Sequence, residues 1–341
     1  MNSQALLKNK PYPTNTCNRL LSGRAGRKRN TCEASLACVR GNDFPCLQKY
    51  RIKTNVSLKS HTSFRIGGKA RYWYEPDNKK ELAGFLKTCG NSLSMFVIGC
   101  GSNLLIREGL IDKVFIHLRG ADFNTIRIRG SRVYVGAGVK ISQLLLALKE
   151  SDLIGYEFLA GIPGTLGGAA VMNAGARCGV VDSCYVEMKD IVRRVEVLDR
   201  QGRFHILESC DLDFSYRCSN LKPFIVVGVV LEFKKGDKKA ASETIKKLME
   251  YRRQYQDWRY PSAGSFFKNP DFRFSAGQLI DLCCLKGFRV GGAQVSDKHA
   301  NFILNVGKAN SSDVIKIMEK IRQRVYNRFK IKLIPEVEIV S

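Results

Sequence analysis

The chain has 341 residues, 44% of them hydrophobic, which is enough to bury a sizeable core and suggests two or three domains. No apolar run approaches the roughly 20 residues that span a bilayer, and Leu20-Leu21 is cut short by Ser22, Gly23 and Arg24, so no signal-peptide apolar region is present either. The net charge of +25 has two compatible readings, a solvated basic surface and a bias toward nucleotide or other anionic substrates.

Residues 1–45 differ from the rest. They hold eight basic and two acidic residues, contribute +6 of the charge, and have no acid before Glu33. This composition resembles an organelle transit peptide; a disordered bacterial tail or an overextended start fits it as well. A cytoplasmic bacterial protein is expected, or an organelle or endosymbiont protein if the leader is a transit peptide. No methionine lies between Met1 and Met95, so a shorter product would need a non-AUG start. Twelve cysteines are present, but no pair has Cys-x-x-Cys spacing and Cys283-Cys284 are adjacent. Reduced thiols and no metal site are expected.

From Tyr50 the pattern becomes globular. Leu82, Phe85 and Leu86 predict a short helix, and Phe96–Ile98, Val114–Ile116 and Val133–Val135 predict strands. Ser142 is the expected cap of a helix running to about Glu150. Val192–Leu198 and Phe204–Leu207 read as strands joined by a hairpin turn at Asp199–Gly202, and Ile225–Phe233 as another strand. The charge run Lys234–Lys239 suggests a domain boundary, with Ser242 opening the next helix. Val314, Ile317, Met318, Ile321 and Val325 predict an amphipathic helix that starts at Ser312 or Asp313. Ile331–Ile334 and Val337–Val340 are strand-like. Strands and helices mix throughout, which indicates an α+β architecture.

Four segments carry chemistry. In Gly99-Cys100-Gly101-Ser102-Asn103-Leu104 a strand runs into a glycine turn, where backbone N–H groups can cradle a diphosphate. A ligand-free tight turn fits the same residues. Leu104 stands where a third fingerprint glycine would be, which excludes a Rossmann motif. The second segment holds Gly161, Ile162, Pro163, Gly164, Gly167 and Gly168 and continues to Asn173, Gly175 and Ala176. Its small residues allow close approach to a flat ligand, and its apolar interleaving argues against a solvated loop. The third, Tyr216-Arg217, offers a guanidinium fork for a carboxylate, although by itself it reads equally as a surface arginine. The fourth, Ser262–Pro270, sets the Ser265 hydroxyl on a small turn, anchors it with Phe266-Phe267, and adds Lys268 and Asn269. A hydroxyl so placed can donate a proton. Glu336 comes late in the chain, between Pro335 and Val337.

Together with Thr62–Gly68, Gly291-Gly292-Ala293 and His299–Phe302, these motifs resemble the UDP-N-acetylenolpyruvoylglucosamine reductase family in identity and order, from about Tyr50 to Val340. The resemblance implies a two-part FAD-binding region of the vanillyl-alcohol-oxidase type, over residues 50–117 and 118–235. It implies an α+β substrate-binding domain over 238–333, with residues 335–341 returning to the first part. The short interval from Phe233 to Arg252 resembles the family's variant without a substrate-closing loop. Arg217, Ser265 and Glu336 fall on the family's catalytic positions. The first two segments fall on the FAD site, and Tyr216, Lys268 and Asn269 on the substrate site. The implied activity is NADPH-dependent reduction of an enolpyruvyl sugar nucleotide in peptidoglycan precursor synthesis, by a monomer with non-covalent FAD and without nucleic acid or membrane insertion. The chain departs from the family at Gln256-Asp257, where Gln-Pro is common, and in its leader. A flavin oxidase of related fold and a basic nucleic-acid-binding protein are the competing readings.

Overall fold

The computed structural model describes residues 45–179, 184–270 and 273–341, so the leader up to residue 44, with Cys17, Cys32 and Cys38, lies outside the described residues. The architecture is α+β, built on three sheets. The first has the strand order Ile52–Ser57, Lys69–Tyr74, Leu110–His117, Met95–Ile98. Its first pair is antiparallel and the other two are parallel. Parallel strands need a crossover, and the helix Lys79–Cys89 supplies one between Lys69–Tyr74 and Met95–Ile98, which flank Leu110–His117. Asn78 caps it by accepting from the Glu81 N–H, and Leu82, Phe85, Leu86 and Cys89 are buried, as the spacing predicts.

These side chains share one core with Val133, Val135, Val195, Val197 and Val229 of the second sheet. That sheet is wholly antiparallel, in the order Phe204–Glu208, Val192–Leu198, Ile225–Glu232, Arg132–Gly136, Ile126–Arg129. The expected hairpin at Asp199–Gly202 is present. Its buried Asp199 carboxylate accepts from the N–H groups of Gln201 and Arg203 and from Arg203 Nε, and contacts His205 Nε2 at 2.9 Å.

The third sheet orders Ser262–Ser265, Phe302–Asn305, Ala293–Val295 and Arg289–Val290. The helices Ala276–Leu282 and Ser311–Phe329 pack on it. Val314, Ile317, Ile321 and Val325 recur at helical spacing and meet Phe266 and Phe267 in a second core. The last strand, Glu338–Val340, pairs in parallel with Leu104–Ile106. No helix among the described residues is long and apolar enough to cross a membrane.

Helix starts differ from the expected positions because other side chains satisfy the first N–H groups. Ile141–Lys149 starts ahead of Ser142, with Gln143 reaching back to the Lys140 N–H. Lys238–Tyr255 starts at Asp237, well before Ser242, so the charge run lies partly inside the helix. Asn310, not Ser312 or Asp313, caps Ser311–Phe329 by accepting from the Asp313 N–H. Ile331–Ile334 forms no strand. Leu333 is buried there, and the Ile334 carbonyl accepts from the Lys268 N–H.

Candidate active site

One cavity of about 1640 Å³ opens where the three sheets meet, and residues from all of them line it. Single small-molecule sites run to roughly 1,000 Å³, so this one has room for two ligands side by side.

Two glycine loops form one wall. Gly99 to Leu104 comes after the strand Met95–Ile98 and leads into Leu104–Ile106, with no helix directly after it. Gly101 has φ +60°, and a Cβ there would lie 2.2 Å from the His61 carbonyl oxygen, so only glycine fits. The second loop brings Gly161, Ile162, Pro163, Gly164, Gly167 and Gly168 to the same wall, with Gly175 and Ala176 beyond. Ser102 Oγ donates to the Pro163 carbonyl at 3.0 Å and ties the two loops together. Burial pushes the Cys100 thiol up, which keeps it neutral. Backbone stripped of side chains on two tied loops fits a flat, phosphorylated cofactor. Asn173 is different. It is fully buried off the cavity wall; its amide donates to Glu187 and to the Ser215 carbonyl, and its Oδ1 accepts from the Lys189 N–H.

Arg217 lies in the two-residue turn between the short strands Phe214–Ser215 and Cys218–Ser219. Its φ of +56° is a conformation that a side-chain-bearing residue holds only under constraint. The constraint is visible. Nε donates to Glu336 Oε1 at 2.9 Å, and Nη2 donates to the Gly175 carbonyl at 3.0 Å and to the Tyr185 hydroxyl at 2.6 Å. Glu187 Oε1 lies 4.0 Å from Nη1. The Tyr216 ring is 5.1 Å from the guanidinium carbon. Burial raises the Glu336 carboxyl, and Arg217 opposes that rise only in part. Burial works against the Arg217 charge, but Glu336 and the two tyrosines hold the group above its ordinary value.

Ser265 ends the strand Ser262–Ser265 and lines the cavity. A bulge separates the register at Ser262 from that at Ser265, with Gly264 at φ +75° between them. Asn301 fixes the two phenylalanines that come next. Its carboxamide bonds both the N–H and the carbonyl of Phe267, and its own carbonyl accepts from the Phe266 N–H. The Glu336 N–H donates to the Phe266 carbonyl, and Asn103 Nδ2 donates to the Glu336 carbonyl. Phe266, the residue after Ser265, is therefore joined to Glu336 and the first glycine loop by two consecutive hydrogen bonds. Lys268 is off the cavity wall, though its charge reaches Glu336. Asn269 lines the cavity, while its Oδ1 accepts from the Ala276 N–H.

Sequence reasoning missed Tyr185 and Glu187, which clasp Arg217. No local signal marks them; a buried acid two residues after a tyrosine becomes meaningful only once the fold brings Arg217 alongside. It also missed His61 and His117, which line the cavity beside Trp73.

Comparison with known proteins bears on the fold and the family. Residues 70–208 match an FAD binding domain model, and residues 256–340 match the C-terminal domain of UDP-N-acetylenolpyruvoylglucosamine reductase. The chain is 38% identical over 297 residues to the reductase of that name from Anoxybacillus flavithermus, covering 85% of this chain and 94% of the relative. It is 40% identical to the one from Heliobacterium modesticaldum, covering 83% and 89%. The solved UDP-N-acetylenolpyruvylglucosamine reductase of Thermus caldophilus superposes with a TM-score of 0.72 at 35% identity, covering 85% of this chain and 99% of that one.

Proposed function

The chain belongs to the UDP-N-acetylenolpyruvoylglucosamine reductase family, an FAD-dependent oxidoreductase family, and we propose that it reduces UDP-N-acetylglucosamine enolpyruvate to UDP-N-acetylmuramate with NADPH, for peptidoglycan precursor synthesis. The observation that carries this reading is the convergence of Ser265, Arg217 and Glu336 on one cavity that a pair of tied glycine loops also lines.

The loops Gly99–Leu104 and Gly161–Gly168, with Gly175 and Ala176, would hold FAD; Asn173 supports them through Glu187 and Ser215. When bound, FAD supplies the acceptance and delivery of hydride. The protein's own residues handle charge and proton. Reduction of the enolpyruvyl double bond puts negative charge on the carbon beside the carboxylate. Arg217, held as a fixed cation, stabilises that charge. Four of its five N–H donors are engaged, the Nη1 one only at 3.5 Å to the Asn173 carbonyl, so a substrate carboxylate can take the remaining Nη1 donor or displace the Tyr185 hydroxyl, which sits on a partly exposed side chain. Glu336 keeps the guanidinium oriented. Ser265 delivers the proton to carbon from a backbone position locked by Asn301. Tyr216 and Asn269 edge the substrate side of the cavity, and Lys268 adds positive charge behind Glu336.

Purified protein should be yellow, and beyond one equivalent per flavin it should turn over NADPH rapidly only when the enolpyruvyl sugar nucleotide is present. Colourless protein that takes up no FAD, or oxygen-consuming turnover of a sugar or lactone without response to the sugar nucleotide, would overturn the reading.

A further inference from the structure

The cavity has an aromatic rim. Trp258 and Tyr260 both line it, yet they remain 46% and 41% exposed. They project from the connector between the helix Lys238–Tyr255 and the strand Ser262–Ser265. That connector is not slack. Asp257 is 2% exposed; it accepts two hydrogen bonds from the Arg259 guanidinium, at 3.0 and 2.8 Å, and one from Ser296 Oγ at 3.2 Å. Trp258 Nε1 donates to Gln256 Oε1 at 3.4 Å. The rings on either side of Arg259 are thus displayed at a fixed place, Trp258 the more exposed of the two, and the Arg259 guanidinium carbon lies 5.8 Å from the centre of the Tyr260 ring.

A cation stands beside them. Arg252, one turn back from the helix end, lines the same cavity with its stem across Gly161. Its hydrogen bond is to the Phe158 carbonyl at 3.4 Å, and the group that favours its charge is the Tyr185 hydroxyl, not a carboxylate. Burial lowers its pKa, so a nearby anion would be favoured.

Rigid aromatic faces next to an uncompensated guanidinium suit a nucleobase joined to phosphates. The connector runs directly into Ser262–Ser265. Gln256, Trp258, Tyr260 and Pro261 line the same cavity as Ser265, so a ligand whose reacting carbon lies at Ser265 can extend its far end along them. Resting on the proposed function, we infer that Trp258, flanked by Tyr260, is the platform on which the uracil of the sugar nucleotide stacks, with Arg252 facing its diphosphate. Trp258 then sets affinity for the uridine end and takes no part in the chemistry.

The chain has two tryptophans, and the other, Trp73, is 2% exposed. In the FAD-loaded enzyme, titration with UDP should change tryptophan emission saturably, and Trp258→Phe should abolish most of that change. Trp258→Ala should raise KM for the sugar nucleotide by about tenfold, the scale of one base–aromatic stack. It should leave kcat within about twofold and flavin reduction by NADPH unaltered; Trp258→Phe should restore most of the affinity. The inference is overturned if Trp258→Ala leaves that KM unchanged, or if emission responds to NADP+ and not to UDP. A wild-type enzyme whose reduced flavin is not reoxidised by the sugar nucleotide would instead bring down the proposed function itself.

Discussion

At the scale of the residue, Ser265 and Arg217 show different kinds of legibility. The Ser-Ala-Gly-Ser-Phe-Phe run already implies a small turn anchored by two large rings, and both rings are 1% exposed. Arg217 has no such local signature. Its left-handed backbone, its two carboxylates and its tyrosine partners come from segments up to 119 residues away. Ser265→Ala should leave flavin reduction by NADPH intact while flavin reoxidation by the sugar nucleotide falls by at least about 10²-fold, the lower end for loss of a general acid. Rapid-mixing measurement of the two half-reactions decides it; equal slowing of both would make the serine structural.

At the scale of the element, periodicity located the helices well but not their first residues. Leu82, Phe85 and Leu86, and Val314 to Val325, face cores as their spacing predicts. The starts moved because caps compete, and the winner is the side chain that reaches an unpaired N–H. Ser311 shows the competition plainly: its hydroxyl goes to Glu108, 203 residues away, while Asn310 takes the cap. The Asp199 hairpin is a local device whose pH response can be worked out. Despite the opposing effect of burial, its hydrogen bonds with His205, Arg203 and Gln201 hold the carboxyl well below the usual carboxylate range. A depressed carboxyl contributes stability that is complete above its unfolded pKa of about 3.9 and is lost as pH falls below that. Asp199→Ala should cost about 1–2 kcal/mol at neutral pH, on the scale of one lost side-chain cap, and less in acid. Urea denaturation of both forms at pH 7 and below pH 4 checks the size and the sign; a gap that widens in acid contradicts the assignment.

At the scale of the whole molecule, the cavity is where the three sheets come together, so its occupant links parts of the chain that are far apart in sequence. FAD removal should therefore lower the melting temperature, and restoring it at about 100 times its Kd should return about 2.7 kcal/mol, read as a shift of several degrees in thermal unfolding. An unchanged melting temperature on saturation would show that the glycine loops are not the cofactor's cradle. What the sequence alone determined was the α+β class, the helix faces, the Asp199 hairpin and the glycine loops. Each depends on residues near one another in the chain, where period and turn chemistry act directly. What only the tertiary structure decided was the pairing of Arg217 with Glu336, the Tyr185–Glu187 clasp and the outward display of Trp258. Those depend on long-range closure, in which a side chain's meaning is set by whatever the fold brings within about 3 Å of it. The absence of a strand at Ile331–Ile334 belongs with them: an apolar run promises burial, but only a partner edge makes a strand, and there the chain meets a single Lys268 N–H instead.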